Sequence, residues 1–191
     1  MMVVALMKRI YCVTGNKHKA GEIIEILREY GVEARHIDVD LTEIQSESLE
    51  EVASACAVEA SNKVGEEVIV EDSGLFISSL NGFPGPYSSY VYKTLGCGGL
   101  LKLMNGVSGR KAVFRSVVAY CRQGGSPKTF VGEAYGEIAY EEKGTLWGFD
   151  PIFIPEGGGG QTYAEMSRGE KNRTSHRRKA LENFAHWFLD R

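Results

Sequence analysis

Long hydrophobic runs are missing from this sequence. No segment approaches the roughly 20 apolar residues that a membrane-spanning helix requires, so no membrane partner is expected. A basic excess is missing as well. The formal net charge is -3, whereas a protein that neutralises many nucleic-acid phosphates needs the opposite balance, so no nucleic-acid partner is expected. The four cysteines, Cys12, Cys56, Cys97 and Cys121, contain no C-x-x-C pair and stand near no histidine set. That excludes the usual zinc arrangements and predicts small buried apolar residues in a reducing compartment. The opening MMVVALMKRI has its basic pair after the apolar run and no small-residue cleavage site, unlike a secretory signal. Residues 1–6 read as an N-terminal extension, with Met7 an alternative start, and the expected location is cytoplasmic.

What is present is ordinary for a globular chain: 191 residues, 43% hydrophobic and 25% charged. This predicts one domain over 1–191. The stretch Val68 to Gly74, VIVEDSG, stands out. Three β-branched residues predict a strand buried on both faces, and Glu71 and Asp72 leave its carboxyl end beside an expected Ser-Gly turn. Ligands of α/β folds bind at such strand ends, so the carboxylates read as a metal and water site. A strand leaving the core through a polar turn fits the same residues.

Before it, Ile10 to Val13 predicts a strand, and Lys17 to Tyr30 a helix with Ala20, Ile23, Ile24, Leu27 and Tyr30 on one face and Gly31 closing it. The loop between them, TGNKHK, has a glycine for close approach, helix-start N–H groups and two lysines, which suits a phosphate. Alone it fits a plain turn with a capped helix better. Val32 to Leu41 predicts an edge strand with Glu43 just beyond it, and Ser48 to Val64 a helix opened by a capping box with Glu51. Further on come a stiff loop, FPGPY, a helix from Ser88 to Leu103 broken at Gly96, and a hairpin of Ala112 to Cys121 with Lys128 to Ile138, expected away from the phosphate site. In Trp147-Gly148-Phe149-Asp150 two aromatics flank a glycine. They can grip a flat base, with Asp150 accepting from it, or form a hydrophobic turn before a strand. The run RGEKNRTSHRRK from Arg168 to Lys179 leads into an amphipathic helix carrying Ala180, Leu181, Phe184, Trp187 and Phe188. Cations at a helix start oppose its dipole, so Lys171, His176, Arg177 and Arg178 predict an anionic ligand there, with a solvated basic face as the alternative.

In this order the motifs resemble those of the inosine triphosphate pyrophosphatase, or Ham1-like, family. TGNKHK is similar to its T-G-N-x-x-K, VEDSG to its acidic strand end, FPGPYS to its proline loop, WGFDPIF to its base loop, and QTYAEM with EKNRTSHR to its C-terminal signature. The resemblance covers the chain from Met7 onward. It implies an α/β fold, a mixed β-sheet with flanking helices in two lobes around a substrate cleft, and usually a homodimer. The implied activity is Mg²⁺-dependent hydrolysis of ITP, dITP and XTP to the monophosphate and pyrophosphate. By position, Thr14, Gly15, Asn16 and Lys19 would hold the triphosphate, Glu43 and Asp72 the magnesium, and Asp72 would be the base for the attacking water. Ser73 would contact the nucleotide, while Trp147, Gly148, Phe149, Asp150, Lys171, His176 and Arg177 would enclose the base. Arg177, with only N–H donors, suits a 6-oxo purine and not the 6-amino group of adenine. Two departures stand out: no lysine lies between Ser54 and Asn62, where the family often carries one, and Trp147 replaces the usual phenylalanine. A Maf-type pyrophosphatase and a nucleotide sensor or nucleic-acid binder without catalysis are the rival readings.

Overall fold

The computed structural model describes residues 7–191; the extension assigned to residues 1–6 and the alternative start lie at or outside that boundary. One seven-stranded mixed sheet runs through the molecule. Strand β1 (Lys8–Val13) is followed by helix α1 (Lys17–Glu29), β2 (Val32–Ile37), α2 (Leu49–Val64) and β3 (Val68–Ile77). Then come β4 (Pro84–Gly85), α3 (Ser88–Leu103), β5 (Lys111–Cys121), β6 (Lys128–Ile138), β7 (Phe153–Pro155), α4 (Arg168–Thr174) and α5 (His176–Asp190). The order across the sheet is β2-β1-β3-β5-β6-β7, with β4 beside β3. The β2, β1 and β3 set is parallel, while β3 to β7 pair antiparallel. The predicted mixed sheet with flanking helices is the observed architecture.

Side chains on a strand alternate between faces, and β3 shows how this sorts the core. Ile69 joins the residues of α1 and α5 on one face, whereas Val68 and Val70 pack with Leu49, Val52, Ala53 and Cys56 of α2 on the other. A third cluster, from α3, Phe149, Phe153 and Tyr163, fills the far end of the sheet. All four cysteines are buried and free, as their spacing predicts.

Several expectations are corrected. The strand expected over 32–41 ends at Ile37, because β1 ends at Val13 and no partner continues beyond that pair. The Ser-Gly turn after Asp72 does not exist: β3 runs straight through Ser73 and Gly74, held by unbroken pairing from Val68 to Ile77 along β5. Gly74 is required there for another reason, since a Cβ would run into the carbonyl of Gly85 on β4. The capping box on α2 is half present. Ser48 Oγ accepts from Glu51 N–H, but the Glu51 carboxylate accepts from Ser46 Oγ at 2.6 Å instead of returning to the cap. The hairpin is not remote from the carboxylates, since β5 lies directly against β3. The basic run forms two helices, with Ser175 in extended conformation between them as the cap of α5. Ile26 also joins the buried face of α1, while Ile24 and Tyr30 are partly buried.

Candidate active site

β1 pairs with β3 only through Tyr11 opposite Val68 and Cys12 opposite Ile69. Just beyond this short parallel pairing lie the Thr14–Asn16 loop after β1 and, midway along β3, Glu71 and Asp72. Lys19, in the first turn of α1, bridges them. Its Nζ lies 3.1 Å from Glu71 Oε2 and 3.9 Å from Asp72 Oδ1, and it donates to the Glu71 carbonyl at 3.3 Å.

The loop is more self-contained than its sequence suggests. Asn16 Oδ1 accepts from the N–H groups of His18 and Lys19 at 2.9 and 3.2 Å, and Thr14 Oγ1 accepts from Asn16 N–H at 3.1 Å. Two of the helix-start donors that were to face a phosphate are thus satisfied by the cap. Gly15 is exposed, and a Cβ there would make only an ordinary contact with Asp38.

Alternation along β3 divides the two carboxylates. Glu71, with Ile69 and Ser73, points to the α1–α5 face, and Asp72 points to the α2 side. Glu71 is buried and accepts a hydrogen bond from Ser116 Oγ at 2.5 Å, while Lys19 and Arg177, whose Nε lies 3.2 Å away, face it as ion-pair partners. Burial pushes its pKa up, but Arg177 and Lys19 overcome that and hold it well below the usual carboxylate range. Asp72 keeps 26% of its side chain open. Burial pushes its carboxyl up to about 6, with Lys19 opposing and the charges of Glu71 and Glu43 adding to the rise. Glu43 sits exposed on the loop after β2 and acts on Asp72 through its charge.

Arg177 continues the line inward. It is 1% exposed, its Nη1 donates to Glu22 Oε2 at 2.5 Å, and its Nη2 donates to Ser73 Oγ at 3.2 Å. Room for the guanidinium comes from a row of small residues on one face of three paired strands: Ser73 opposite Ser116, and Ser116 opposite Gly132. A Cβ at Gly132 would strike the backbone of His176 and Ala180, so α5 rests directly on the sheet there. Glu22 also accepts from Lys171 Nζ at 3.0 Å, and Lys171 reaches Asp150 Oδ2 at 2.6 Å. Burial pushes Glu22 up, but Arg177 and Lys171 bring it below its ordinary value. Asp150 is raised by burial, with Lys171 opposing.

An alternating series results: Asp72, Lys19, Glu71, Arg177, Glu22, Lys171, Asp150. Four carboxylates against three cations leave one negative charge in excess, and the only member with substantial exposure at the negative end is Asp72. This corrects the reading of the basic run. The anions that compensate Lys171, Arg177 and Arg178 are the protein's own Glu22, Asp150, Glu71 and Glu29.

A matching family model spans residues 10–187 and describes the Ham1 family. The chain belongs to the Ham1 family. It is 52% identical to the dITP/XTP pyrophosphatase of Methanopyrus kandleri, over 94% of this chain and 96% of that one. It is 46% identical to the dITP/XTP pyrophosphatase of Methanosarcina mazei, over 96% and 98%. The fold superposes on a HAM1 protein from Coxiella burnetii with a TM-score of 0.84 at 30% identity, covering 97% of this chain and 100% of that one.

In this Ham1 chain the structure unites Lys19, Asp72, Ser73, Asp150, Lys171 and Arg177 in one network that ends at Trp147. Lys171 Nζ and Arg177 Cζ stand 5.3 and 5.7 Å from its ring centre. Gly148, with φ of 66°, turns the chain so that Trp147 faces the network and Phe149 does not. Phe149 is buried in the far cluster, edge-on to Tyr92 at 5.5 Å. It holds the loop and offers no open face for stacking. His176 is likewise turned inward, stacked on Phe114 at 4.6 Å, and burial keeps its imidazole neutral. Lys63 does not stand in for the missing helix lysine, since Glu59 and the Asp40 carbonyl hold it at 2.8 and 2.7 Å. Glu22, Ser116 and His18 are participants that motif reading passed over. The available signal for Glu22 was a charge beside the apolar face of α1.

Proposed function

We propose that the protein hydrolyses deaminated purine nucleoside triphosphates, ITP, dITP and XTP, to the monophosphate and pyrophosphate with Mg²⁺. The hydrolase class rests on near-full-length kinship with dITP/XTP pyrophosphatases. The observation that carries the residue assignment is Lys19 on Glu71 and Asp72, which joins the TGNKHK loop to the acidic strand.

Asp72 is the base for the attacking water. An ionised carboxylate at this position can orient the attacking water and take its proton. Glu71, fully neutralised by Lys19 and Arg177, holds Lys19 in place beside it. The donor set suits magnesium. Among the described residues no three acidic or metal-binding side chains cluster as a closed cage, and Mg²⁺ is characteristically held by one or two carboxylates, waters and substrate phosphates. Asp72 and Glu43 are those carboxylates, and the uncompensated charge lies at their end. When bound, the ion neutralises charge growing on the pyrophosphate leaving group. The base lies against Trp147, whose ring rests near the ion-paired side chains of Lys171 and Arg177. In this reading the protein works as a homodimer, with Phe83, Tyr87 and Tyr90, all exposed, as candidate contacts.

The test is pyrophosphate release from ITP, XTP, dITP, GTP and ATP, with and without Mg²⁺, by wild type and Asp72→Asn. Magnesium-dependent release from the first three, lost in the variant, is expected. Binding without release from any purine nucleotide would overturn the proposal.

A further inference from the structure

We infer that His18 sets the affinity of the base site by covering Trp147 in the nucleotide-free protein, so that an incoming purine must take its place; this rests on Trp147 being the base platform. His18 is the second residue of α1. Its backbone is fixed by the Asn16 cap, while its side chain is exposed. The imidazole lies on Trp147 with ring centres 5.7 Å apart and planes 18° from parallel. It is a contact between the phosphate loop's helix and the base loop, two segments 129 positions apart in sequence by their numbering.

The spacing decides what this stack can do. A flat base in contact with an aromatic on each face needs the two aromatics about 7 Å apart, twice the optimal carbon–carbon separation. At 5.7 Å a purine does not fit between His18 and Trp147. The Trp147 ring is also approached by Lys171 and Arg177, and both of these are locked in buried ion pairs. His18 is the one neighbour among these three that is free to move: it is exposed, and no ion pair or side-chain hydrogen bond ties its ring among the described residues. Purine binding therefore trades one aromatic stack for another. The net gain is smaller than Trp147 alone would give, and the difference is set by a residue outside the network.

The experiment is calorimetric titration of IMP, which is not turned over, into wild type, His18→Ala, His18→Phe, Trp147→Ala and the double variant His18→Ala/Trp147→Ala. An aromatic pair of this kind corresponds to about a two- to tenfold change in Kd. His18→Ala is expected to bind IMP tighter by that factor. His18→Phe, which still covers the indole, is expected to bind no tighter than wild type. Trp147→Ala is expected to weaken binding and to make the His18→Ala change silent in the double variant. Unchanged or weaker binding by His18→Ala, with Trp147→Ala still damaging, overturns the covering role and leaves the base platform standing. No effect of Trp147→Ala overturns the platform itself.

Discussion

Replacing Asp72 by an uncharged residue should make the protein more stable, in a pH-dependent way. The folded protein raises Asp72 from 3.8 to about 6, and each pKa unit corresponds to about 1.4 kcal/mol. The full shift of roughly two units is then about 3 kcal/mol. With 26% of the side chain open to water, screening reduces this to about 1–3 kcal/mol. Because the folded-state pKa lies above the unfolded one, the folded protein holds the proton more tightly. The resulting stabilisation is present below about pH 4 and is lost as pH rises through about 6. Above that, the native state carries a buried charge it would rather not have. Asp72→Asn removes the titration, so its advantage is absent near pH 4 and complete by pH 8. For a domain of this size about 1–3 kcal/mol corresponds to about 2–10 °C in Tm. Calorimetric melting of both proteins in EDTA, from pH 4 to 8, measures it. Adding Mg²⁺ at pH 8 should then raise the wild type and leave the variant unmoved. A variant no more stable than wild type at pH 8, or an advantage that does not shrink on acidification, would refute the reasoning.

Arg177→Ala leaves Glu71 and Glu22 buried without their shared cation, and urea unfolding should show a loss of about 3–5 kcal/mol. Turnover of ITP and ATP should fall together, so the ITP/ATP ratio of kcat/KM is the discriminating readout; a change confined to that ratio would mean that Arg177 acts on the base alone. Arg177→Lys should restore only part of the stability, since one ammonium cannot serve Glu22, Glu71 and Ser73 at once. Gly132→Ala pushes against the backbone of His176 and Ala180, which should cost about 2–4 kcal/mol. By lifting the start of α5 it should also lower kcat/KM by about tenfold or more, a distance-sensitive loss. Chemical denaturation and steady-state kinetics check both.

Elements with a single strong local pattern were legible from the sequence. α1 has its apolar face and closing glycine, α2 its Ser48 cap, and β5 and β6 their intervening turn. The passage of β3 through Ser73 and Gly74 was not, because a small polar pair normally signals a turn and only the facing strand β5 overrides it. Lys19, Asp72 and Trp147 could be picked out by motif, yet their partners could not. Glu22 looks like a solvated helix charge until α5 is laid against it, and the pairing of Lys171 with Asp150 joins residues that share no motif. Phe149 shows the same limit. Its neighbour Trp147 is also aromatic, and the turn at Gly148 places one ring against the charged network and the other in the core.

The alternating series from Asp72 to Asp150 makes its members jointly inherited. Each of its three cations lies between two carboxylates, so a neutral replacement of any one of them leaves an unbalanced negative charge on each side. Single substitutions there are dead ends, and tolerated change must come in compensating sets. An engineer who wants a different purine accepted is thereby directed away from the obvious charged residues. The adjustable positions are those on the rim that touch Trp147 without belonging to the series.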